Sequence, residues 1–532
     1  MSNLSDLLPA GAAAKQLTFT DSGSGISSKA PVILNSDGTV AGVSESTASG
    51  SLPLGTRLTV ESGASSIGRM QIVADPHNTD RWMISYYNDS GTSGIRIKFV
   101  TRSGTTLSDG GATNAGTVSG IDNAYNHAMA FDPVTPNKAV MVFMPGSSAP
   151  SAYGTAAVVL TLSTSDKDAV VSFGTPNRFE TANFDTFSGA HDRLQAIGTT
   201  GNYLAYWAND PSAVKMRVLT VSGTTVTAPG STTIPYASQA RNSNEFIVKV
   251  NPYDSSKALL FQVNHSDQYL YINDLALSGS TITATSTGNL VDNSTTWNSD
   301  SYGNTNLVYL TSTKFVLGAR KASMSSGQGF ERIGNLNGGS FSYGSWETFN
   351  PLGGASALEY CYQMALSNST TTPDKWITIW STNSSGGSYD KYPFGRIGSY
   401  STDSISFDTN TTMDSYVYNY IYVAKGYDTE GHFLIYGDNG STTAFVFLGK
   451  TGGTSSNLTS TNFVGIADSA ISASAAGSVI VQGGTVAGLS SLTAGSKYYV
   501  QPDGTFGTSA GDPSVNAGIA ISTTSLLLNG DS

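Results

Sequence analysis

The sequence predicts an all-β chain: a seven-bladed β-propeller inserted into a small β-sandwich or barrel-like domain formed by both chain ends. Three observations lead there. Glycine supplies 58 residues, beside abundant Ser and Thr and 26 Tyr, a composition of strands joined by tight turns. Amphipathic helical periodicity is nearly absent. A phrase of turn followed by apolar strand recurs along most of the chain.

The phrase is clearest in DPHNTDRWMISYY (75–87), DPVTPNKAVMVF (132–143) and NPYDSSKALLFQ (251–262). Four weaker copies are GNYLAYW (201–207), TKFVLGA (313–319), DKWITIW (374–380) and EGHFLIY (430–436). Their third residues, with the equivalent positions of the clear copies, are Trp82, Ala139, Tyr203, Ala258, Phe315, Trp376 and His432, at intervals of 57, 64, 55, 57, 61 and 56. Near-equal spacing without residue identity indicates a structural unit whose pattern persists while its letters drift.

Each copy has one plan. A short apolar run such as MQIVA (70–74), HAMAF (127–131), FIVKV (246–250) or YQMAL (362–366) precedes the turn and the landmark strand. A third strand follows in GIRIKFVTRSG (94–104), VKMRVLTVSG (214–223) and DQYLYINDLALSG (267–279), then a weaker fourth in TTVTAPG (224–230) and STITATSTG (280–288). Four hairpin-linked strands make a propeller blade, and packing such sheets face to face around an axis buries surfaces that a lone sheet would expose. Trp82, Tyr203, Phe315 and Trp376 are therefore expected in the core between blades. TRLTVES (56–62) is a candidate to complete the last blade and close the ring.

The formal charge of −11, with 12% charged residues, opposes a nucleic-acid partner, which would need phosphate-neutralising cations. The single cysteine, Cys361, excludes an intramolecular disulfide and any cysteine-based zinc site, and is expected as a buried small hydrophobe. MSNLSDLLPAGAAAKQ has no basic start or long apolar run, so a secretory signal is not expected, and no segment approaches a membrane-spanning length.

The period stops near residue 462. Residues 463–532 read as a compact β-region with Asp503-Gly504 as a hairpin turn, and KAPVILNSDGTVAGVSE (29–45) carries a matching pattern around Asp37-Gly38. The set VILNSDGTVAGV, FVGIADSAIS, LTAGSKYYVQPDGTF and AGIAISTTSLLL resembles a module of structural proteins from tailed bacteriophages, particularly marine and cyanobacterial ones. The resemblance implies one docking domain made of residues 1–48 and 463–532, with the propeller of 49–462 spliced into it. It further implies a virion location after synthesis in the host cytoplasm, and other virion proteins as partners. Homo-oligomerisation stays open.

The five histidines, His77, His127, His191, His265 and His432, show no metal-ligand spacing, and the sialidase aspartate box is missing from every blade turn. No catalytic residue, metal or cofactor is expected. Loops leading into the innermost strands are rich in Tyr, Asn and His, residues that suit a host-surface saccharide at the channel mouth. Tyr125, Asn126, His127, Asn242, Tyr302, Asn304, Tyr360 and Tyr418 are the candidate contacts. The same residue types also cap strands and satisfy loop backbone. The expected function is a non-enzymatic tail-fibre or other appendage protein for host attachment. A head-decoration protein and a glycan depolymerase are the alternatives, the latter needing two opposed carboxylates.

Overall fold

The computed structural model describes residues 16–62, 67–88, 94–115, 121, 124, 126–145, 154–180, 193–199, 201–209, 213–233, 246–264, 267–284, 288–293, 297, 305–320, 329–349, 356–367, 374–384, 392–414, 420–438, 442–511 and 513–529. Among them the chain is all-β, a series of antiparallel sheets with no α-helix. It divides into two compact units, Ser49–Gly453 and the pair Met1–Ala48 with Thr454–Ser532.

In the larger unit the sheets are successive meanders. The first runs Ile67–Ala74, Arg81–Asn88, Gly94–Ser103, Thr106–Asp109. The following sheets open with first strands His127–Phe131, Leu194–Ala196, Phe246–Val250, Thr305–Tyr309, Ser356–Leu366 and Tyr420–Lys425. The sheet that opens at Tyr420 continues through His432–Asp438 and Thr443–Ser456 and is completed by Glu45–Ser62, which precedes the first sheet in the chain. Each first strand lies beside the first strand of the next sheet, and Tyr420–Lys425 lies beside Ile67–Ala74, so the circuit closes.

One hairpin repeats throughout. The backbone N–H of Asp75, Asp132, Ile197, Asn251, Leu310, Ser367 and Gly426 donates to the carbonyl of Arg81, Lys138, Asn202, Lys257, Lys314, Lys375 and His432 respectively. The next residue of each second strand pairs with the last residue of the first: Trp82 with Ala74, Ala139 with Phe131, Tyr203 with Ala196, Ala258 with Val250, Phe315 with Tyr309, Trp376 with Leu366. In the seventh copy that residue is Phe433, opposite Lys425, so the landmark expected at His432 moves by one. All seven have 0% exposure.

They sit where expected, in apolar clusters between neighbouring sheets. Trp82 and Phe433 share one cluster, Tyr203 packs with Val140 and Val159 of the preceding sheet, and Trp376 packs with Val316 and Ile333. Trp376 Nε1 donates to Glu331 Oε2 at 2.8 Å while Thr378 Oγ1 donates to Oε1 at 2.7 Å, so that wholly buried carboxylate is held by donors from the next sheet. Cys361, expected to be buried, has its side chain outside the described residues.

A second recurrent device is absent from the expectations above. In the third strands, Arg217, Arg332 and Arg396 donate to carbonyls of the preceding sheet, at Phe179, Val291 and Phe349, and also to carbonyls of their own sheet's outer edge. Lys98 does the same across the seam, with Nζ 2.5 Å from the Val60 carbonyl oxygen. Glycines on the outer edge allow the sheets to approach. A Cβ on Gly110 would stand 1.9 Å from the Lys167 carbonyl oxygen and one on Gly174 2.2 Å from that of Thr224, while at the seam a Cβ on Gly55 would stand 2.4 Å from that of Thr105. Strand Glu45–Ser62 thus makes the same contacts to the first sheet that ordinary fourth strands make to their neighbours.

The second unit mixes the two chain ends. One sheet has the order Gln16–Thr20, Ala476–Ile480, Phe463–Ala467, Pro31–Leu34, Val40–Gly42. The other has the order Thr485–Ala487, Ser525–Leu528, Val515–Ala520, Lys497–Val500, Phe506–Gly507. Ile33, Ile466 and Ile480 of the first share a core with Val486, Val500 and Leu526 of the second. The two Asp-Gly-Thr turns are alike: Asp37 Oδ1 accepts from Thr39 N and Oγ1 at 2.9 and 2.7 Å, and Asp503 Oδ1 accepts from Thr505 N and Oγ1 at the same distances. The buried Asp21 joins the ends. Its Oδ2 accepts from the N–H groups of Gly23, Gly25 and Ser474. Burial pushes this carboxyl up, but those bonds outweigh it and hold it below the ordinary range.

Candidate functional site

The seven first strands converge on a cavity of about 290 Å³ within the larger unit. Its walls are residues of those strands, including Ile72, Met129, Leu194, Leu307, Met364 and Val423. Turns that follow the strands form its rim through Pro76, Pro133, Pro252 and Tyr427.

Local sequence explains the rim. Asp75, Asp132 and Asn251 end their strands, and each Oδ1 accepts the backbone N–H two residues on, from His77 at 2.9 Å, Val134 at 2.8 Å and Tyr253 at 2.9 Å. Such Asx turns reverse the chain within a few residues, and proline at the position between presets the required φ. Asp75 also forms a buried ion pair with Arg81, Oδ2 to Nε 2.7 Å, and the Arg81 Nη1 reaches the Thr164 carbonyl at 2.9 Å on the next sheet. Rim and inter-sheet packing are therefore braced together. Val134 is 52% exposed, Tyr253 53% and Tyr427 37%, an apolar collar on the same turns.

Two cations line this cavity, Lys249 near the end of the fourth sheet's first strand and Lys425 at the end of the seventh's. No acidic residue is among the described lining residues. Burial pushes the Lys425 ammonium below the ordinary lysine value, and the like charge of Lys249 pushes it the same way. Lys425 Nζ stands 5.4 Å from the centroid of the Tyr427 ring. The Tyr427 hydroxyl is itself pushed up, first by burial and then by Asp75.

Of the saccharide candidates, Asn126 and His127 alone have described side chains. Tyr125, Asn242, Tyr302, Asn304 and Tyr418 lie outside the described residues, and Tyr360 is described only in its backbone, within Ser356–Leu366. Asn126 and His127 are 5% and 1% exposed, and His127 Nε2 lies 2.6 Å from Ser85 Oγ on the preceding sheet. His127 is thus packed between sheets, where a saccharide at a channel mouth would not reach it. His77 and His432 are likewise engaged, with the Asp132 carbonyl and with Asp428, each at 2.9 Å. His127 and Tyr360, expected on loops, belong to the first strands His127–Phe131 and Ser356–Leu366, whose closing residues line the cavity. Lysine near the close of two otherwise apolar inner strands, FIVKV and YIYVAK, was the signal for the cavity.

No family model matches the sequence, and no curated protein matches it. Among solved structures, the chain is similar to Sqt1 from Chaetomium thermophilum, at 9% identity and TM-score 0.42, covering 74% of this chain and 99% of that one. A protein of unknown function from Dyadobacter fermentans gives 9% identity and TM-score 0.34 over 74% and 99% of the two chains. A prolyl endopeptidase gives 11% and 0.37 over 74% and 55%. Likeness at this level brings neither substrate nor activity to this chain.

Proposed function

We propose that the protein is a structural component of a tailed-bacteriophage particle, a tail-fibre or other appendage protein in which a seven-bladed β-propeller is displayed for attachment to the host surface. The observation that carries the reading is the split terminal unit. Gln16–Thr20 pairs with Ala476–Ile480 in register, Gln16 opposite Ile480 and Thr20 opposite Ala476, so some 450 residues are inserted between partners of one ladder. A closed circuit has neighbouring ends and can be spliced into a loop at little closure cost. This organisation suits a small docking module that carries a large display module, and the segments at the two ends are those that resemble phage structural proteins. The seam contacts of Lys98 and Gly55 favour seven blades with the last completed by the incoming strand.

The test is antibody labelling of intact particles with serum against this chain, combined with incubation of the purified protein on host envelope polysaccharide. The reading expects label on an appendage, and binding without release of reducing ends. Label on the head would replace it with a decoration role, released reducing sugar with a depolymerase, and particles free of label would overturn it altogether.

A further inference from the structure

We propose that the cleft between the fourth and fifth sheets of the larger unit is a saccharide subsite that takes one sugar ring, with Asp274 at its floor. The inference deepens the attachment reading, on which it rests for the source of the sugar, a glycan of the host envelope. It starts from one break in the repeat. The residue after each inter-sheet landmark pairs with the third strand at Phe99, Val159, Val218, Ile333, Ile397 and Leu448 in six sheets, and at Asp274 in the fourth. Asp274 is 6% exposed and lines a cavity of about 260 Å³.

A second break opens that cavity. Arg81 and Lys314, each just before its landmark, reach across to the turn between the third and fourth strands of the next sheet. Arg81 Nη1 donates to the Thr164 carbonyl at 2.9 Å, and Lys314 Nζ donates to the Thr402 carbonyl at 2.6 Å and to Asp403 Oδ1 at 3.2 Å. Lys257 holds the same place in the fourth sheet, but the corresponding turn of the fifth is Gly338-Gly339, where an added Cβ would meet nothing within 4 Å. The gap therefore stays open beside Leu259 and Phe315. Asp254, Ser312 and Thr313, all exposed, stand at its mouth, which Asn251 braces by donating from Nδ2 to the Ser312 carbonyl at 2.8 Å.

The lining selects the ligand. Asp254 and Asp274 accept hydrogen bonds, Lys257 donates, and the hydroxyls of Tyr309, Ser312 and Thr313 do either. Asp254 Oδ1 already accepts from Ser256, but an ionised carboxylate has about four acceptor sites, so one neighbour does not exhaust either acid. Burial, then Asp274 and Asp254, push the Tyr309 hydroxyl well up, so it keeps its proton for donation. Leu259, Phe315 and Leu336 supply an apolar side. A sugar ring matches this mixture, with hydroxyls that donate and accept around its edge and C–H groups on its faces. A hydrocarbon would leave the polar groups unmatched, and a simple anion would meet two carboxylates. The volume falls just under the range of about 300–1,000 Å³ typical of small-molecule sites, which suits one ring.

Saturation-transfer NMR of the full chain with the methyl glycosides of glucose, galactose, mannose and N-acetylglucosamine tests this, with cyclohexanol as a ring bearing one hydroxyl. The expected result is saturation of at least one glycoside and none of cyclohexanol. Affinity should fall by about tenfold or more in Asp274→Leu, which restores the apolar type of the other sheets, and in Ser312→Trp, which covers the mouth and leaves the floor intact. No saturation of any glycoside overturns the proposal. So does saturation of cyclohexanol equal to that of the glycosides, or undiminished affinity in both variants. Glycoside binding beside particles that carry no label would sink the virion reading alone, and labelled appendages without glycoside binding would sink this subsite alone.

Discussion

Between its sheets and around its axis, the larger unit treats one hairpin in two ways. The first residue of the repeated pairing, on the second strand, is Trp82, Ala139, Tyr203, Ala258, Phe315, Trp376 or Phe433, always apolar or aromatic and always without exposure. Its partner on the first strand is Ala74, Phe131, Ala196, Val250, Tyr309, Leu366 or Lys425, which spans the range from a methyl group to a charged amine. Neighbouring sheets demand close packing, because a void or a polar group there costs both of them. Ala74, Phe131, Ala196, Val250, Tyr309 and Leu366 touch the same clusters, but with Lys425 they also border the central cavity, where no sheet faces them. Chemistry can therefore change around the axis while the contacts that hold the circuit stay as they are.

The largest expected effect lies between the sheets. Trp376→Ala empties a fully buried site and removes one of the donors to the buried Glu331, and it should cost about 3–5 kcal/mol in denaturant titration. A loss below about 1 kcal/mol would mean that the inter-sheet position tolerates change as freely as the axial one, and the contrast would fail.

A smaller effect of opposite sign is expected on the axis. Lys425 has a folded-state pKa below its ordinary value of 10.5, first through burial and then through Lys249. Between the two values the unfolded chain binds more protons than the folded one, so the stability of the native protein rises with pH across that window, and below it the full penalty of the charged amine is present. Lys425→Met removes the penalty. The variant should be more stable by on the order of 1 kcal/mol at neutral pH, with the advantage shrinking as pH approaches 10.5, as thermal melts at several pH values would show. Equal or lower stability at neutral pH would indicate that the ammonium is well accommodated.

The same contrast explains what was legible in the sequence. Trp82, Tyr203, Phe315 and Trp376 announced the repeat because inter-sheet packing constrains residue type at a fixed period. His432 misled by one place: it occupies the position that Arg81, Lys138 and Lys257 hold elsewhere, and its burial against Asp428 lets it pass for part of the strand. The clamps of Arg217, Arg332 and Arg396 were in plain view, but which carbonyls they reach depends on how sheets stack, and pattern alone does not contain that. Lys249 and Lys425 stood at different places within their strands, penultimate in one and last in the other. Only the closed circuit brings them to one cavity. For the saccharide candidates the expectation looked to the loops that enter the first strands, and His127 shows the hazard, since a polar residue at such an entrance can be a buried bridge to Ser85.

The account depends most on closure, the pairing of Glu45–Ser62 with the seventh sheet. Hydrogen exchange of the full chain, read by mass spectrometry on peptides spanning 56–62 and 443–450, tests it directly. If the incoming strand completes the circuit, its amides are protected to the same degree as those of Thr443–Ser456 and open together with them as denaturant is added. Exchange of 56–62 at the rate of an unpaired strand, with 443–450 still protected, would contradict closure and with it the shared axis on which the cavity depends.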